Sequence, residues 1–186
     1  MRLATILLIS LLIIVNYGCT NTATLESKTK SVKEDLSQVA AIGTRIGNMP
    51  PDFTVVTTDG KAIRLSDFAE QKKPVIVYFM ATWCPYCAED YQALSKVYPD
   101  YEKNISFLSI SLDLSEDLNL LREYKKKYPK LQNTMFTSGQ ASILADYSIT
   151  KTTTKYAIAR NGAILYAAIG VFSEEQWKAL LEELSK

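Results

Sequence analysis

The feature that most limits the possible folds is an unbroken apolar run, Val75 to Met80, followed closely by the residues WCPYC. Apolar side chains do not alternate with polar ones inside this run. Such a run predicts a central β-strand that helices cover on both faces. From Cys84 through Tyr91 to Tyr98, apolar residues then recur at three- and four-residue steps, and Pro99 follows. This spacing predicts a helix that begins at the cysteines.

The remaining pattern alternates between strands and helices. Asp59-Gly60 separates two β-rich stretches and predicts a hairpin. Ile105 to Leu112 predicts a second central strand, and Ser115 is expected to open a helix that lasts to Tyr128. Further along, we expect a short strand at 135–136, a helix at 141–147 and a hairpin over 155–169. A last helix is expected to start with a capping box from Ser173 to Gln176. Its buried stripe is formed by Trp177, Leu180, Leu181 and Leu184. This order predicts an α/β protein with helices on both faces of a central mixed sheet.

The N-terminus predicts export. Arg2 precedes an apolar run from Leu3 to Val15, which is short for a membrane-spanning helix of about 20 residues but suits a signal-peptide core. Gly18 then stands before Cys19, as in a bacterial lipobox, although Asn16 replaces the usual leucine. We expect residues 1–18 to be a lipoprotein-type signal peptide and Cys19 to be lipidated. Ordinary cleavage nearby and an uncleaved anchor are the alternatives, and all three place the protein outside the cytoplasm, with the lipid or the anchor holding it at the membrane of the cell envelope.

Residues 19–45 are polar and rich in Thr, Ser and Lys, which predicts a tether with a short helix around Leu36. The folded domain is expected to cover residues 46–186. Export matters for the cysteines, because Cys84 and Cys87 would then lie in a compartment where disulfides persist.

Composition excludes several functions. The formal net charge is +1 and no basic patch dominates, so no nucleic-acid partner is expected. The chain has no histidine, which excludes Cys-His and Ser-His catalysis and removes the commonest metal ligand. We expect neither a metal nor another cofactor.

The position of Cys84 favours redox chemistry. It lies between a buried strand and a helix, where unpaired backbone N–H groups and the helix dipole stabilise a thiolate. Cys87 lies one turn deeper, so Cys84 is expected to attack a partner disulfide and Cys87 to resolve the mixed disulfide. Pro85 suits the first helical position. A metal site shared in a dimer and a purely structural disulfide are the alternatives, although one CxxC supplies only two of about four ligands and closes only a small loop.

The segment VIVYFMATWCPYC resembles the active-site segment of the thioredoxin superfamily. The leader, the lead-in GNMPPDFTVVTTDGKAIRLSDF, the extra element at 115–147 and the ending NGAILYAAIGVFSEEQWKALLEEL look like its TlpA/ResA-like extracytoplasmic branch. The resemblance implies a thioredoxin-like fold over about residues 46–186, with an N-terminal β-hairpin extension and an inserted strand and helix. It also implies a redox-active Cys84–Cys87 disulfide, with Trp83, Pro85 and Tyr86 in the active-site environment.

Two positions depart from thioredoxins themselves. Their buried aspartate, six residues before the first cysteine, is replaced here by Tyr78. The ResA-like branch has an acid three residues after the second cysteine, and here that residue is Asp90. Because Asp90 follows Cys87 by three residues, it shares the cysteine face of the helix, and we expect it to shuttle a proton to and from Cys87. The alternative is an ordinary exposed acid near the helix N-terminus.

The loop that faces the cysteines in this family carries a cis-proline. Aligning Tyr147 and Ile149 with the family pattern puts Thr153 at that position, and no proline follows Pro129. A non-proline cis bond costs about 2.5–4 kcal/mol, so we expect a trans bond between Thr152 and Thr153. The loss of the proline changes the geometry that the family uses to hold a substrate.

We therefore expect a monomeric, membrane-tethered thiol-disulfide oxidoreductase that reduces disulfides of exported proteins and is itself supplied by a membrane redox donor. Cytochrome c maturation is the setting that the resemblance implies. A thiol peroxidase is one alternative, although the residues from Phe79 to Trp83 lack the proline that such enzymes carry before their cysteine. A non-catalytic binding module with the same fold is the other.

Overall fold

A computed structural model describes residues 41–186. Residues 1–40, including the predicted signal peptide, Cys19 and most of the tether, lie outside the described residues. The strands are β1 (Thr54–Val56), β2 (Ala62–Arg64), β3 (Val75–Met80), β4 (Ser106–Ser111), β5 (Met135–Thr137), β6 (Thr154–Ile158) and β7 (Ile164–Ala168), and the helices are α1 (Leu65–Glu70), α2 (Pro85–Val97), α3 (Leu118–Lys125), α4 (Ala141–Asp146) and α5 (Glu174–Ser185).

A five-stranded mixed sheet forms the centre, with strand order β5-β4-β3-β6-β7. β3 pairs in parallel with β4 and antiparallel with β6, while β4–β5 is parallel and β6–β7 antiparallel. The hairpin β1–β2 stands outside this sheet. The predicted α/β fold class, with a mixed sheet, an N-terminal hairpin and an inserted strand and helix, is confirmed.

β3 is the central strand of this sheet, and every one of its side chains is buried. Ile76, Tyr78 and Met80 face one layer, formed chiefly by α2, α3 and α5. Val75, Val77 and Phe79 face the other, where the hairpin, α1 and α4 pack. This alternation follows from the two-residue period of a strand. It directs the Tyr78 side chain toward the helix that carries both cysteines.

The register of β3 against β6 positions the site. Phe79 pairs with Thr154, the first residue of β6. The loop that precedes β6 therefore lies beside the carboxyl end of β3, from which the chain continues to Cys84. Two segments that are far apart in sequence meet at this edge of the sheet.

Helix boundaries agree with the sequence in α2, α4 and α5, whereas α3 is shorter than predicted and ends at Lys125 instead of Tyr128. Ser173 and Gln176 form the predicted capping box of α5. The helix expected to open at Ser115 begins instead at Leu118, because Asp117 accepts the hydrogen bond from the Leu120 N–H and caps it. The hydroxyl of Ser115 donates to Asp113 within the preceding loop. Helix α1 was not predicted from the sequence.

The described chain before β1 is attached to the domain by backbone hydrogen bonds. The N–H of Gly43 donates to the Met49 carbonyl, and the N–H of Gly47 donates to the Ile164 carbonyl. The boundary placed at residue 46 stays a prediction. Among residues 41–186, no helix combines the length and apolar character needed to cross a bilayer.

Candidate active site

Cys84 caps the N-terminus of α2. Its Sγ accepts a hydrogen bond from the backbone N–H of Cys87 at 3.3 Å, and Pro85 occupies the first turn. An N–H that points at sulfur from the positive end of a 13-residue helix stabilises negative charge on that sulfur. Only 3% of Cys84 is exposed. Cys84 Sγ therefore lies at the helix end beneath a thin cover of protein.

Cys87 is fully buried one turn further along α2. The pKa of its thiol is raised to about 12, chiefly by burial and next by the hydrogen bond with Cys84, while hydrogen bonds involving the Ala81 backbone and Tyr78 act in the opposite direction. Both sulfurs are free thiols in the structure. The two cysteines thus differ strongly in environment, with Cys84 at the helix end and Cys87 in the core.

Thr152, not Thr153, supplies the side chain that touches the cysteines. The Cys84 thiol donates to the Thr152 hydroxyl at 3.1 Å. The Thr153 hydroxyl instead accepts from the Gly170 N–H at 3.1 Å and donates to the Thr152 carbonyl. Thr153 has φ of 60°, a left-handed conformation that is strained for a β-branched residue. Thr153 stands at the family's cis-proline position, but the residue before it, Thr152, is the one that contacts Cys84.

Exposed apolar side chains surround this covered thiol. Trp83 is 63% exposed, Tyr86 61% and Ile169 60%. They line an open groove together with Leu112 and the loop residues Thr150, Lys151, Thr152 and Thr153. Large apolar side chains grouped in this way are typical of an interaction surface.

Asp90 lies in the core beside the second cysteine and is 1% exposed. Its Oδ2 accepts from the Tyr78 hydroxyl at 2.9 Å and from Lys155 Nζ at 2.8 Å. Its Oδ1 accepts from the Phe172 N–H at 2.7 Å and from Trp177 Nε1 at 3.1 Å. The alternative of an exposed helix acid is therefore wrong. Two of these four donors, the Tyr78 hydroxyl and the Lys155 ammonium, can also give up a proton, and the role of Asp90 as a proton shuttle stays a prediction.

Lys155 is the functional candidate that the sequence analysis missed. It is 1% exposed, and besides Asp90 it donates to the Gly170 carbonyl at 2.5 Å. Its Nζ also lies 4.0 Å from the Phe172 ring centroid. Burial lowers the pKa of Lys155 and the charge of Asp90 opposes that effect. The one available signal was a lysine inside the otherwise apolar strand KYAIA, because a buried lysine requires an acidic partner.

Two acids that follow β4, Asp113 and Glu116, hold the turn before Cys84, and these too were missed. Glu116 is buried and accepts from the N–H and the hydroxyl of Thr82 at 2.8 and 2.6 Å. Asp113 accepts from Trp83 Nε1 at 2.9 Å. The chain between β3 and α2 is therefore fastened on the side opposite the Thr152 loop.

Among residues 41–186, His, Cys, Asp and Glu side chains nowhere gather in a group of three or more that could hold a metal ion. The buried acids, Asp90 and Glu116, are both occupied by hydrogen-bond donors from the protein. The chemistry that these residues offer is that of the two thiols.

Comparisons with known proteins identify relatives of this chain. A family model described as the AhpC/TSA family matches residues 46–167. Thiol-disulfide oxidoreductase ResA of Bacillus cereus is 27% identical over 144 residues, which cover 76% of this chain and 79% of ResA. Thioredoxin-like protein YneN of Bacillus subtilis is 25% identical over 142 residues, 76% of this chain and 81% of YneN. A thiol:disulfide interchange protein of Chlorobium tepidum superposes with a TM-score of 0.65 and 21% identity over 76% of this chain and 98% of that one.

The fold and the paired thiols define a thioredoxin-like thiol-disulfide oxidoreductase. The chain belongs to the AhpC/TSA family. The predicted resemblance to ResA-like proteins is confirmed.

Proposed function

We propose that this protein reduces disulfides of exported proteins at the outer face of a membrane, using Cys84 and Cys87 as a dithiol. The observation that carries the proposal is the difference between the two sulfurs. Cys84 Sγ lies at the N-terminus of α2 and accepts the Cys87 N–H, while Cys87 lies buried one turn below. A thiolate nucleophile at the helix end and a resolving thiol behind it are what disulfide exchange requires.

The reaction has two displacements. The Cys84 thiolate attacks one sulfur of a target disulfide, forms a mixed disulfide and releases the first target thiolate. The Cys87 thiolate then attacks Cys84 Sγ, which forms the Cys84–Cys87 disulfide and releases the second target thiolate. Two electrons pass to the target, and a membrane redox donor restores the dithiol.

The groove beside the Thr152 loop supports a polypeptide substrate. Trp83, Tyr86 and Ile169 offer apolar contact next to the reactive sulfur. Cysteine pairs of apocytochromes c are the target class that the resemblance implies. The apolar leader and Cys19 support attachment to the membrane by a lipid.

Trapping tests this proposal. Reduced protein should transfer electrons to an insulin disulfide, Cys84→Ser should abolish the transfer, and Cys87→Ala should accumulate a mixed disulfide with the target. A reduction potential near −120 mV, typical of a strong oxidant, would reverse the proposed direction of electron flow. Labelling with radioactive palmitate, with and without Cys19→Ser, tests the lipid anchor.

One observation favours a second candidate, a non-catalytic binding module. Cys84 is almost fully covered, and Thr152 lies against its sulfur. If Cys84→Ser binds exported proteins as well as the parent chain and neither exchanges disulfides, the module is the correct function.

A further inference from the structure

We propose that the buried Lys155–Asp90 pair is a clamp that positions the Thr152 loop, residues 150–153, against Cys84. The clamp reaches the loop through hydrogen bonds of the segment 170–172. The inference rests on the proposed function, because it concerns how the attacking sulfur is held. It makes Lys155 and Asp90 positioning residues, since they act on Cys84 through other groups.

Asp90, on the same helix as the cysteines, holds the segment 170–172 at two points. Its Oδ1 accepts the Phe172 N–H at 2.7 Å, and its Oδ2 accepts from Lys155 Nζ at 2.8 Å. Lys155 Nζ donates in turn to the Gly170 carbonyl at 2.5 Å. Both charged side chains are 1% exposed, so water does not compete for these bonds. Charged hydrogen bonds, which are the stronger kind, therefore tie this segment to α2.

Gly170 continues the chain of hydrogen bonds to the Thr152 loop. Its N–H donates to the Thr153 hydroxyl at 3.1 Å, and that hydroxyl donates to the Thr152 carbonyl at 2.6 Å. The Thr152 hydroxyl lies 3.1 Å from Cys84 Sγ. The chain thus begins on α2 at Asp90 and returns to α2 at its N-terminal cysteine.

The loop needs this support because its own backbone is strained. Thr153 stands where the family has a proline, and its φ of 60° is unfavourable for a β-branched residue. Gly170, its partner, also has a positive φ, of 118°. Backbone conformations of this kind persist only where the surrounding contacts determine them. The hydrogen bond between the two residues therefore replaces, by a contact across the fold, the stiffness that a proline ring would give the loop.

The ionic character of the pair fits a positioning role better than a purely stabilising one. A buried ion pair contributes little to stability compared with well-packed apolar side chains of similar volume. An ammonium group, however, carries three directional donors, and Lys155 uses them toward Asp90 and the Gly170 carbonyl. Directional bonds fix where that carbonyl lies relative to α2, whereas apolar contacts would let the segment slide.

Alkylation of Cys84 by iodoacetamide tests the clamp without a disulfide substrate, and peptide mass spectrometry assigns the modified cysteine. The midpoint of the pH–rate profile follows the stability of the thiolate, and the limiting rate at high pH follows access to the sulfur. Thr153→Val keeps the branched shape but removes the hydroxyl at the end of the chain. The midpoint should rise by about 0.5 pH unit or more as the Thr152 hydroxyl leaves the thiolate, and the limiting rate should rise at least about threefold as the cover loosens.

Two matched variants control for the substitution itself. Thr153→Ser keeps the hydroxyl and should restore the parent profile. Thr134→Val removes another buried hydroxyl, one that donates to the Leu131 carbonyl outside this chain of bonds, and should leave both quantities unchanged. A parent profile in Thr153→Val, or an equal change in Thr134→Val, overturns the clamp. The proposed function would still stand, because reduction of insulin by the parent protein decides it separately.

Lys155→Met breaks the chain at its buried end and should move the midpoint and the limiting rate in the same directions as Thr153→Val. The double variant should move the midpoint no further than the larger single change, because both substitutions open one chain. Additive shifts would refute the clamp.

Leu184→Ala controls for the lost stability of Lys155→Met. Leu184 is buried near the end of α5, and its truncation weakens the core by leaving a cavity. With circular dichroism showing that both variants are folded, Leu184→Ala should keep the parent profile. A profile in Leu184→Ala equal to that of Lys155→Met would overturn the inference, and if Lys155→Met does not fold, the Thr153 variants decide.

Discussion

Replacing Lys155 by Met should be among the most destabilising single changes in the core. Lys155 Nζ lies 2.8 Å from Asp90 Oδ2, and each side chain is 1% exposed. Removing one partner of such a pair leaves an uncompensated buried charge, at a cost of about 3–5 kcal/mol. Met fills the space of the lysine stem, so no cavity adds to this value.

The contacts that remain place the expected loss near the lower end of that range. Asp90 keeps hydrogen bonds from Tyr78, Phe172 and Trp177. Against this, the Gly170 carbonyl loses its lysine donor, which costs about 1 kcal/mol. We expect the free energy of unfolding to fall by about 3–4 kcal/mol.

Urea denaturation of the reduced protein, followed by circular dichroism, measures the loss. Lys96→Met is the matched control, since Lys96 pairs with Glu174 where the two side chains are 58% and 43% exposed, and it should cost no more than about 1 kcal/mol. A double-mutant cycle with Asp90→Asn isolates the pair, because the double variant removes both charges and should lose about 1–3 kcal/mol less than the sum of the single losses. A loss for Lys155→Met no larger than the control's would refute the buried ion pair.

Three further predictions concern the thiols and the loop beside them. The pKa of Cys87 is raised, chiefly by burial, from 9.0 to about 12, so the unfolded chain loses this proton first and the free energy of unfolding should fall between pH 9 and 12, by up to about 1.4 kcal/mol per pH unit. Urea denaturation at a series of pH values compares the reduced parent with Cys87→Ala, and an equal pH dependence in the two proteins would contradict the raised pKa. Thr152→Val should slow attack by Cys84 about three- to tenfold, because the thiolate loses a hydroxyl that can donate to it, whereas Thr152→Ser should keep the rate in stopped-flow exchange. Thr153→Pro should destabilise the protein by about 1 kcal/mol or more in thermal melts, because proline requires φ near −65° where Thr153 has 60° and because the Gly170 N–H loses its acceptor. A variant as stable as the parent would show that the loop does not need this conformation.

Local patterns predicted most of the architecture. The apolar run at 75–80 became the central strand, and Asp59-Gly60 became the turn of the hairpin β1–β2. The capping box at Ser173 opens α5 as predicted. These features depend on residues close in sequence, so a single sequence carries them. Helix α1 was not predicted. The start of α3 was predicted wrongly, because it depends on which of several adjacent polar residues caps the helix.

Alignment with the family pattern did not predict which loop residue contacts Cys84. The family pattern put Thr153 opposite the cysteines, and the positive φ of Thr153 turns its hydroxyl toward Gly170 and presents Thr152 to Cys84 instead. A one-residue difference of this kind follows from a backbone conformation. Composition and spacing do not encode it.

By itself, the sequence determined the class of fold, the position of two cysteines at a helix N-terminus and the absence of histidine chemistry. Only the tertiary structure decided what surrounds the buried thiol. Lys155 on β6 and Tyr78 on β3 meet Asp90 on α2 because the sheet register and the packing of α2 bring together residues up to 77 positions apart. The physical reason is that a buried charge must find its partners across the core, and those partners are set by three-dimensional packing and not by neighbours along the chain.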